Sequence, residues 1–181
     1  MSKDYEIQRG LRMAGTPDYV DTTTLLKEGA VELRGMVSGG VLAKPKSSVG
    51  LYLYPAKPSA YSRARTLFYL VAKELFLSGS TVYCIPLSRL YDSLHSDDIT
   101  PESTMLSQAR FIFVTDFYEE GAPCPLQPHE ASRVRAWIRE KYEKGGAVSL
   151  LSDKPPEACT LWWPTAFIGF LTSHTIVRGE K

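Results

Sequence analysis

The chain is poor in cysteine, with three in 181 residues: Cys84, Cys124 and Cys159. They are widely spaced and odd in number, and no Cys-x-x-Cys pair exists, which argues against a structural zinc site. Reduced thiols in a cytosolic protein are the expectation. An excess of one charge is also missing. Lys plus Arg is 21 against Asp plus Glu 20, a net of +1. No global pull toward nucleic acid or a membrane surface follows, although a local basic face stays open. No apolar run reaches the roughly 18 residues that a membrane span needs. The opening MSKDYEIQRG is charged and has no apolar signal-peptide centre. The expectation is a cytoplasmic protein without a membrane partner. No Gly-x-Ser-x-Gly or other nucleophile motif occurs. His95, His129 and His174 are far apart and none sits at ligand spacing from a cysteine. They read as surface or capping groups, so no metal ligands are assigned.

What is present is ordinary globular composition, 44% hydrophobic and 23% charged. At roughly 150 residues per domain the length points to one main domain. It is long enough to bury a core without metal or disulfide staples. Residues 1–48 are polar and turn-rich, with Gly15-Thr16-Pro17, Gly39-Gly40 and Lys44-Pro45-Lys46. They read as an N-terminal arm or lead-in, with a helix expected over Thr23–Val37. Residues 49–181 read as an α/β domain.

In that domain short apolar runs alternate with amphipathic segments. Strands are expected at Val49–Tyr54, Thr81–Ile85, Arg110–Thr115, Ala147–Leu151 and Thr175–Arg178. Helices are expected at Ser62–Leu77, Leu87–Leu94, Pro101–Gln108, Pro128–Glu143 and around Pro164–Leu171. Thr100 is a candidate N-cap. Ser78-Gly79 and Gly145-Gly146 follow helix ends. This rhythm is that of a parallel sheet covered on both faces, a three-layer α/β/α sandwich with five strands. In such folds ligands sit at the carboxyl ends of the strands. The informative loops therefore follow Tyr54, Ile85, Thr115 and Leu151.

The first of these has the topology and length of a phosphate-binding loop, GxxxxGK[ST], between a strand and a helix. Pro55 stands at the first glycine, Ala60 at the second, Tyr61 at the lysine, and Ser62 alone matches. Pro55 and Pro58 remove N–H donors, and Tyr61 brings no positive charge. Lys57 and Ser59 lie in the same loop, where Lys57 can approach a phosphate from a different place. Tight triphosphate binding is not expected. The strand RFIFVTDFYEEG resembles an apolar run ending in acids that orient Mg²⁺ and water. Those two places hold Thr115 and Asp116, with Glu119 and Glu120 a turn further on. The plain reading is that Asp116 caps a loop and the glutamates are solvated. After Leu151, Asp153 stands where a γ-phosphate sensor is polar but uncharged. A carboxylate there is unfavourable unless a metal or Lys154 compensates.

Six segments in order resemble the AAA+ domain of DnaC/DnaI-type helicase loaders and IstB-type transposition helper ATPases. They are Ala14-Gly15-Thr16-Pro17-Asp18-Tyr19, VGLYLY, TVYCIPLSRLYDSL, RFIFVTDFYEEG, IREKYEKGGAVSLLSDKPP and FIGFLTSHTIVRGEK. The resemblance covers about residues 10 to 181. It implies a P-loop, AAA+ type fold with degenerate Walker A, Walker B and sensor motifs. The degenerate nucleotide site comprises Lys57, Ser59, Ala60, Tyr61, Ser62, Thr115, Asp116 and Asp153. The family's terminal-helix arginine falls near Gly169. Loss of each catalytic group within a retained pattern implies a pseudo-ATPase with no catalytic residues and no ATP or Mg²⁺ cofactor. The 48 residues before the first strand are expected to leave no room for the separate helicase-gripping domain of a loader.

Arg63, Arg65 and Arg89 sit where the resemblance places ring-interior residues. They are candidate DNA contacts, to phosphate rather than bases. The helix 128–144 is basic through Arg133, Arg135, Arg139, Lys141 and Lys144, and reads as a solvated face laced with pairs. Trp162-Trp163 read as core or a partner surface, since adjacent tryptophans rarely both bury fully. The leading expectation is a catalytically inactive interaction module. It would associate with itself, with an AAA+ or helicase partner, or with DNA in replication or a mobile element. The alternative is a weak, nucleotide-gated ATPase or loader using Lys57 in an atypical loop. A third is a DNA-binding accessory factor without an AAA+ partner, whose affinity would fall steeply with salt.

Overall fold

The computed structural model describes residues 9–15, 43–44, 47–95 and 100–180. The helix expected over Thr23–Val37 lies outside the described residues. The strands are β1 (Ala43–Lys44), β2 (Ser47–Ser48), β3 (Gly50–Pro55), β4 (Val82–Pro86), β5 (Phe111–Thr115), β6 (Ala147–Leu151) and β7 (Thr175–Glu180). The helices are α1 (Tyr61–Leu77), α2 (Leu87–His95), α3 (Pro101–Gln108), α4 (Pro128–Glu143) and α5 (Thr165–His174). β1 and β2 pair antiparallel as a small separate ribbon. The other five strands form one sheet in the order β4-β5-β6-β3-β7, with every pair parallel. The sandwich expected from the sequence is therefore present, and its boundaries shift by only a few residues.

Alternation along each strand explains the layers. Leu51, Leu53, Cys84, Phe113 and Leu151 face one side, where Leu67, Phe68, Val71 and Leu75 of α1 cover them. Tyr52, Ile85, Ile112, Val114 and Leu150 face the other, against Leu90 of α2, Val134 and Ile138 of α4, and Phe167 and Leu171 of α5. Burial on both faces is why the strands read as continuous apolar runs. Ser149 is the buried exception on β6, and its hydroxyl accepts the Leu51 N–H at 3.1 Å.

Local chemistry sets the helix ends. The Thr100 hydroxyl accepts the Ser103 N–H at 3.0 Å, as an N-cap does. Pro128 opens α4, and the preceding Gln127 N–H donates to Glu130 at 2.7 Å. Gly145 follows α4 at φ +78°, where a glycine carries no steric cost. Two short 3₁₀ turns, Pro58–Ala60 and Pro156–Leu161, were not expected. Each opens with proline, whose fixed φ suits a first helical position.

Ala14 and Gly15 meet the outer edge of β4 at Cys84, while Gly10 sits against the Phe76 ring of α1. The Ala14 carbonyl accepts the Cys84 N–H at 2.7 Å, and Leu11 and Ala14 are buried. Gly15 has φ +77°, and a Cβ there would collide with the Cys84 carbonyl. Part of the lead-in segment thus occupies one backbone donor that an open sheet edge would expose. Trp163 is fully buried, stacked on Phe117 with ring centroids 4.7 Å apart, whereas Trp162 is half-buried against Tyr118. The adjacent pair divides between core and surface. No helix among the described residues is long and apolar enough to cross a membrane.

Candidate functional site

The sheet order places β3 between β6 and β7, although β4 follows it in sequence. The chain reverses direction across the sheet at this point, and a crevice opens at the carboxyl ends of the strands. A cleft of about 660 Å³ lies there, walled by the turns after β3, β5 and β6. Tyr54, Tyr61 and Tyr118 form its aromatic walls. Asp116, Glu119, Glu120 and Asp153 bring carboxylates, and Lys57 and Lys154 bring ammonium groups.

Of the eight residues assigned from sequence, Lys57, Tyr61, Asp116 and Asp153 line the cleft. Ser59 is exposed on the 3₁₀ turn, Ala60 is buried beneath it, and Ser62 is exposed on the first turn of α1. Thr115 is buried at the end of β5 and reaches the site through Asp116. Tyr54, Tyr118 and the Glu180 anchor described below were missed by sequence reasoning. The tyrosines carried a usable signal, because each lies within a few residues of a strand's carboxyl end.

The loop between β3 and α1 bonds to its own backbone and to the end of β7. Pro55 and Pro58 have no N–H. The Ala56 N–H donates to the Glu180 carbonyl at 2.6 Å, and the Ala60 N–H to the Lys57 carbonyl at 2.9 Å. The Tyr61 N–H donates to the Pro58 carbonyl. A triphosphate cradle needs several backbone N–H groups turned toward the ligand. This loop has committed three of them and lost two to proline, which leaves fewer to turn toward a phosphate.

Tyr61, in the lysine position, spans the cleft. Its hydroxyl donates to Asp116 Oδ1 at 3.1 Å, and the Thr115 hydroxyl donates to Asp116 Oδ2 at 3.0 Å. Asp116 adopts φ +56°, a left-handed conformation that aspartate tolerates better than most residues. Burial, and then the Asp116 carboxylate, push the Tyr61 phenol above the ordinary tyrosine range. The phenol therefore stays a neutral donor at physiological pH.

The turns after β5 and β6 are tied together. Asp153 Oδ2 accepts the Glu120 N–H at 2.7 Å, and the Asp153 N–H donates to the Tyr118 carbonyl at 3.1 Å. Lys154 pairs with Glu120 at 2.6 Å. The hydrogen bond to Glu120 pushes the Lys154 ammonium above its ordinary range. Glu120 is thus a partner of Lys154 as well as a solvated side chain. Behind this wall the Tyr52 hydroxyl lies 3.0 Å from Cys159 Sγ, and burial pushes both groups upward. Cys159 is buried, and its raised thiol stays protonated beside Tyr52.

The last residues of β7 anchor the loop. Glu180 is buried, and its carboxylate pairs with Arg63 at 3.2 Å and Arg178 at 3.6 Å. Two of the arginines assigned to DNA are engaged within the chain, Arg63 with Glu180 and Arg89 with Glu102. Arg65 is half-buried on α1. His95 stacks on Tyr91, and His174 stacks on Phe170 with Nδ1 2.8 Å from the Phe170 carbonyl. Among the described residues no cluster of three or more metal-ligating side chains occurs.

No protein-family profile matches the chain, and no curated protein matches its sequence significantly. Solved structures do match. DnaI superposes with a TM-score of 0.64 at 11% identity, over 96% of this chain and 90% of that one. A proposed primosome component from Streptococcus pyogenes serotype M3 gives 0.63 at 11%, over 99% and 97%. DnaA from Aquifex aeolicus, bound to AMPPCP, gives 0.61 at 12%, over 91% of this chain and 52% of that one. At such identities the likeness is one of fold. Five parallel strands in this order and a cleft at their carboxyl ends give the chain the same α/β/α fold as these neighbours, DnaI among them.

Proposed function

We propose that the chain is a replication-associated, helicase-loader-like interaction module that does not hydrolyse ATP. The observation that carries this reading is the occupied loop. The Ala56, Ala60 and Tyr61 N–H groups bond within the chain, Pro55 and Pro58 have none, and the Tyr61 hydroxyl reaches Asp116 at the lysine position. The fold neighbours DnaI and the proposed primosome component support the association with replication. The module would assemble with itself, with an AAA+ or helicase partner, or on DNA, without a nucleotide switch. A cytoplasmic location goes with that role.

The nucleotide-gated alternative draws on one observation: Lys57 is exposed and lines the cleft. A hydrolysis assay with and without single-stranded DNA separates the two. No Mg²⁺-dependent turnover above background is expected. Robust turnover abolished by Ser62→Ala or Lys57→Ala would overturn the inactive reading.

A further inference from the structure

We infer that the outer edge of β7 pairs antiparallel with β7 of a second copy of this chain, joining two five-stranded sheets into one. The inference commits the assembly reading above to one partner, and it rests on the part of that reading that needs no nucleotide. β7 ends the sheet, with β3 on its inner side and no described strand on its outer side. Across the inner pairing the Glu180 carbonyl accepts the Ala56 N–H. In a parallel ladder, residues bonded to one neighbour alternate with residues that point away from it. Glu180, Arg178 and Ile176 therefore turn their backbone groups to β3, and Gly179, Val177 and Thr175 turn theirs outward.

A bare row of N–H and C=O groups templates another strand, and proteins blunt such rows with lysine, proline or a bulge. None of the three outward residues is lysine or proline. At the opposite edge the Ala14 carbonyl takes the Cys84 N–H, whereas among the described residues no backbone bond reaches Val177 or Gly179 from outside the sheet. The side chains around this edge give an independent observation. Between Lys154 and Arg178 the one Asp, Glu, Lys or Arg is Glu157, and α5 carries none. Val177 lies on the face that α5 covers, and it is one of four large apolar side chains exposed among the described residues. Loss of charge around an exposed apolar residue is the composition of an interface centre.

Charge also selects the occupant and its register. An identical strand run antiparallel meets the outward row about a two-fold axis, so each contact made is made twice. Centring the pair on Val177 sets Thr175 opposite Gly179 of the second copy, and Ile176 opposite its Arg178. Each Glu180 keeps its own pairs with Arg63 and Arg178. Centring on Arg178 instead sets two guanidinium groups directly opposite each other, which destabilises. The pairing closes at two copies, because it uses up the edge that makes it.

The test is light scattering on the full chain across a concentration series, with and without ATP and Mg²⁺, joined to amide hydrogen exchange. The mass is expected to double as concentration rises, equally in both buffers. The Val177 and Gly179 amides should gain protection in step with it. Val177→Lys brings two ammonium groups together at the centre and should weaken the dimer by at least about tenfold. Met13→Lys, beside the β4 edge, should leave it unchanged. Far-UV circular dichroism checks that both variants fold, and wild-type exchange decides the matter without them. A monomer at every concentration, a dimer that folded Val177→Lys leaves intact, or a dimer without protection at Val177 and Gly179 would each overturn the inference. So would protection of both amides in the monomer, which would mean that the chain covers its own edge. Assembly that appears only with ATP would instead remove the reading on which the inference rests, so the two failures are distinguishable.

Discussion

Phe111–Val114 and the pair Thr115-Asp116 are neighbours in sequence, yet different forces hold them. The first four residues are buried in parallel pairing with β4 and β6 and packed on both faces of the sheet. Asp116 leaves the sheet with a left-handed backbone and is fixed by hydroxyls from Thr115 and Tyr61. The same division runs through β3, where Leu51–Leu53 are core and Pro55–Ala60 are a loop tied by single bonds to the Glu180 and Lys57 carbonyls. The body of the sheet depends on apolar volume. Its carboxyl edge depends on a few directed polar bonds. A site of the second kind can change its chemistry without disturbing the fold.

Substitutions test that contrast in order of expected effect. Trp163→Ala removes a fully buried ring stacked on Phe117 and should cost about 3–5 kcal/mol in denaturant unfolding. Asp116→Ala removes the acceptor of two hydroxyls and places alanine at φ +56°, so a loss of about 1–3 kcal/mol is expected. Asp116→Asn, which tolerates that φ, should lose less. Tyr61→Phe removes one hydrogen bond and should cost about 0.5–1.5 kcal/mol. Arg89→Ala breaks an exposed pair with Glu102 and should change stability by about 1 kcal/mol or less. If Tyr61→Phe cost as much as Trp163→Ala, the separation between core and edge would fail.

The pH dependence has a definite sign. Tyr52, Tyr61 and Tyr142 all hold their protons above the ordinary value of 10.0, chiefly because they are buried. Below pH 10 both folded and unfolded chains keep these protons, and the contribution to stability is complete. Above it the unfolded chain ionises first, so stability falls as pH rises toward the folded values. Urea midpoints between pH 8 and 11 should drop on the alkaline side. Tyr61→Phe should make the drop shallower.

The fold was legible because core strands are written in consecutive residues: VGLYLY, TVYCI, RFIFVT and AVSLL each announce burial on both faces. The site was legible by position, since the spacing from strand to helix located the loop at Pro55–Ser62. Its geometry was not. No local pattern shows that the Ala56 N–H meets the Glu180 carbonyl, because that bond joins residues more than a hundred positions apart through the pairing of β3 with β7. Ser62, the one matching residue of the motif, lies off the cleft lining, whereas Tyr61, a mismatch, bridges the cleft. The Asp153 tie to the Glu120 N–H was also hidden, because the two come from turns after different strands.

The most direct test is a thermal melt of the full chain with and without about 5 mM ATP and Mg²⁺. A ligand at 100 times its Kd stabilises by roughly 2.7 kcal/mol. For a domain of this size that corresponds to a rise of about 5–10 °C in Tm. A loop with three N–H groups bonded in the chain and two positions held by proline predicts no change. A rise that grows with the logarithm of ATP concentration would show that Pro55–Ser62 still takes nucleotide.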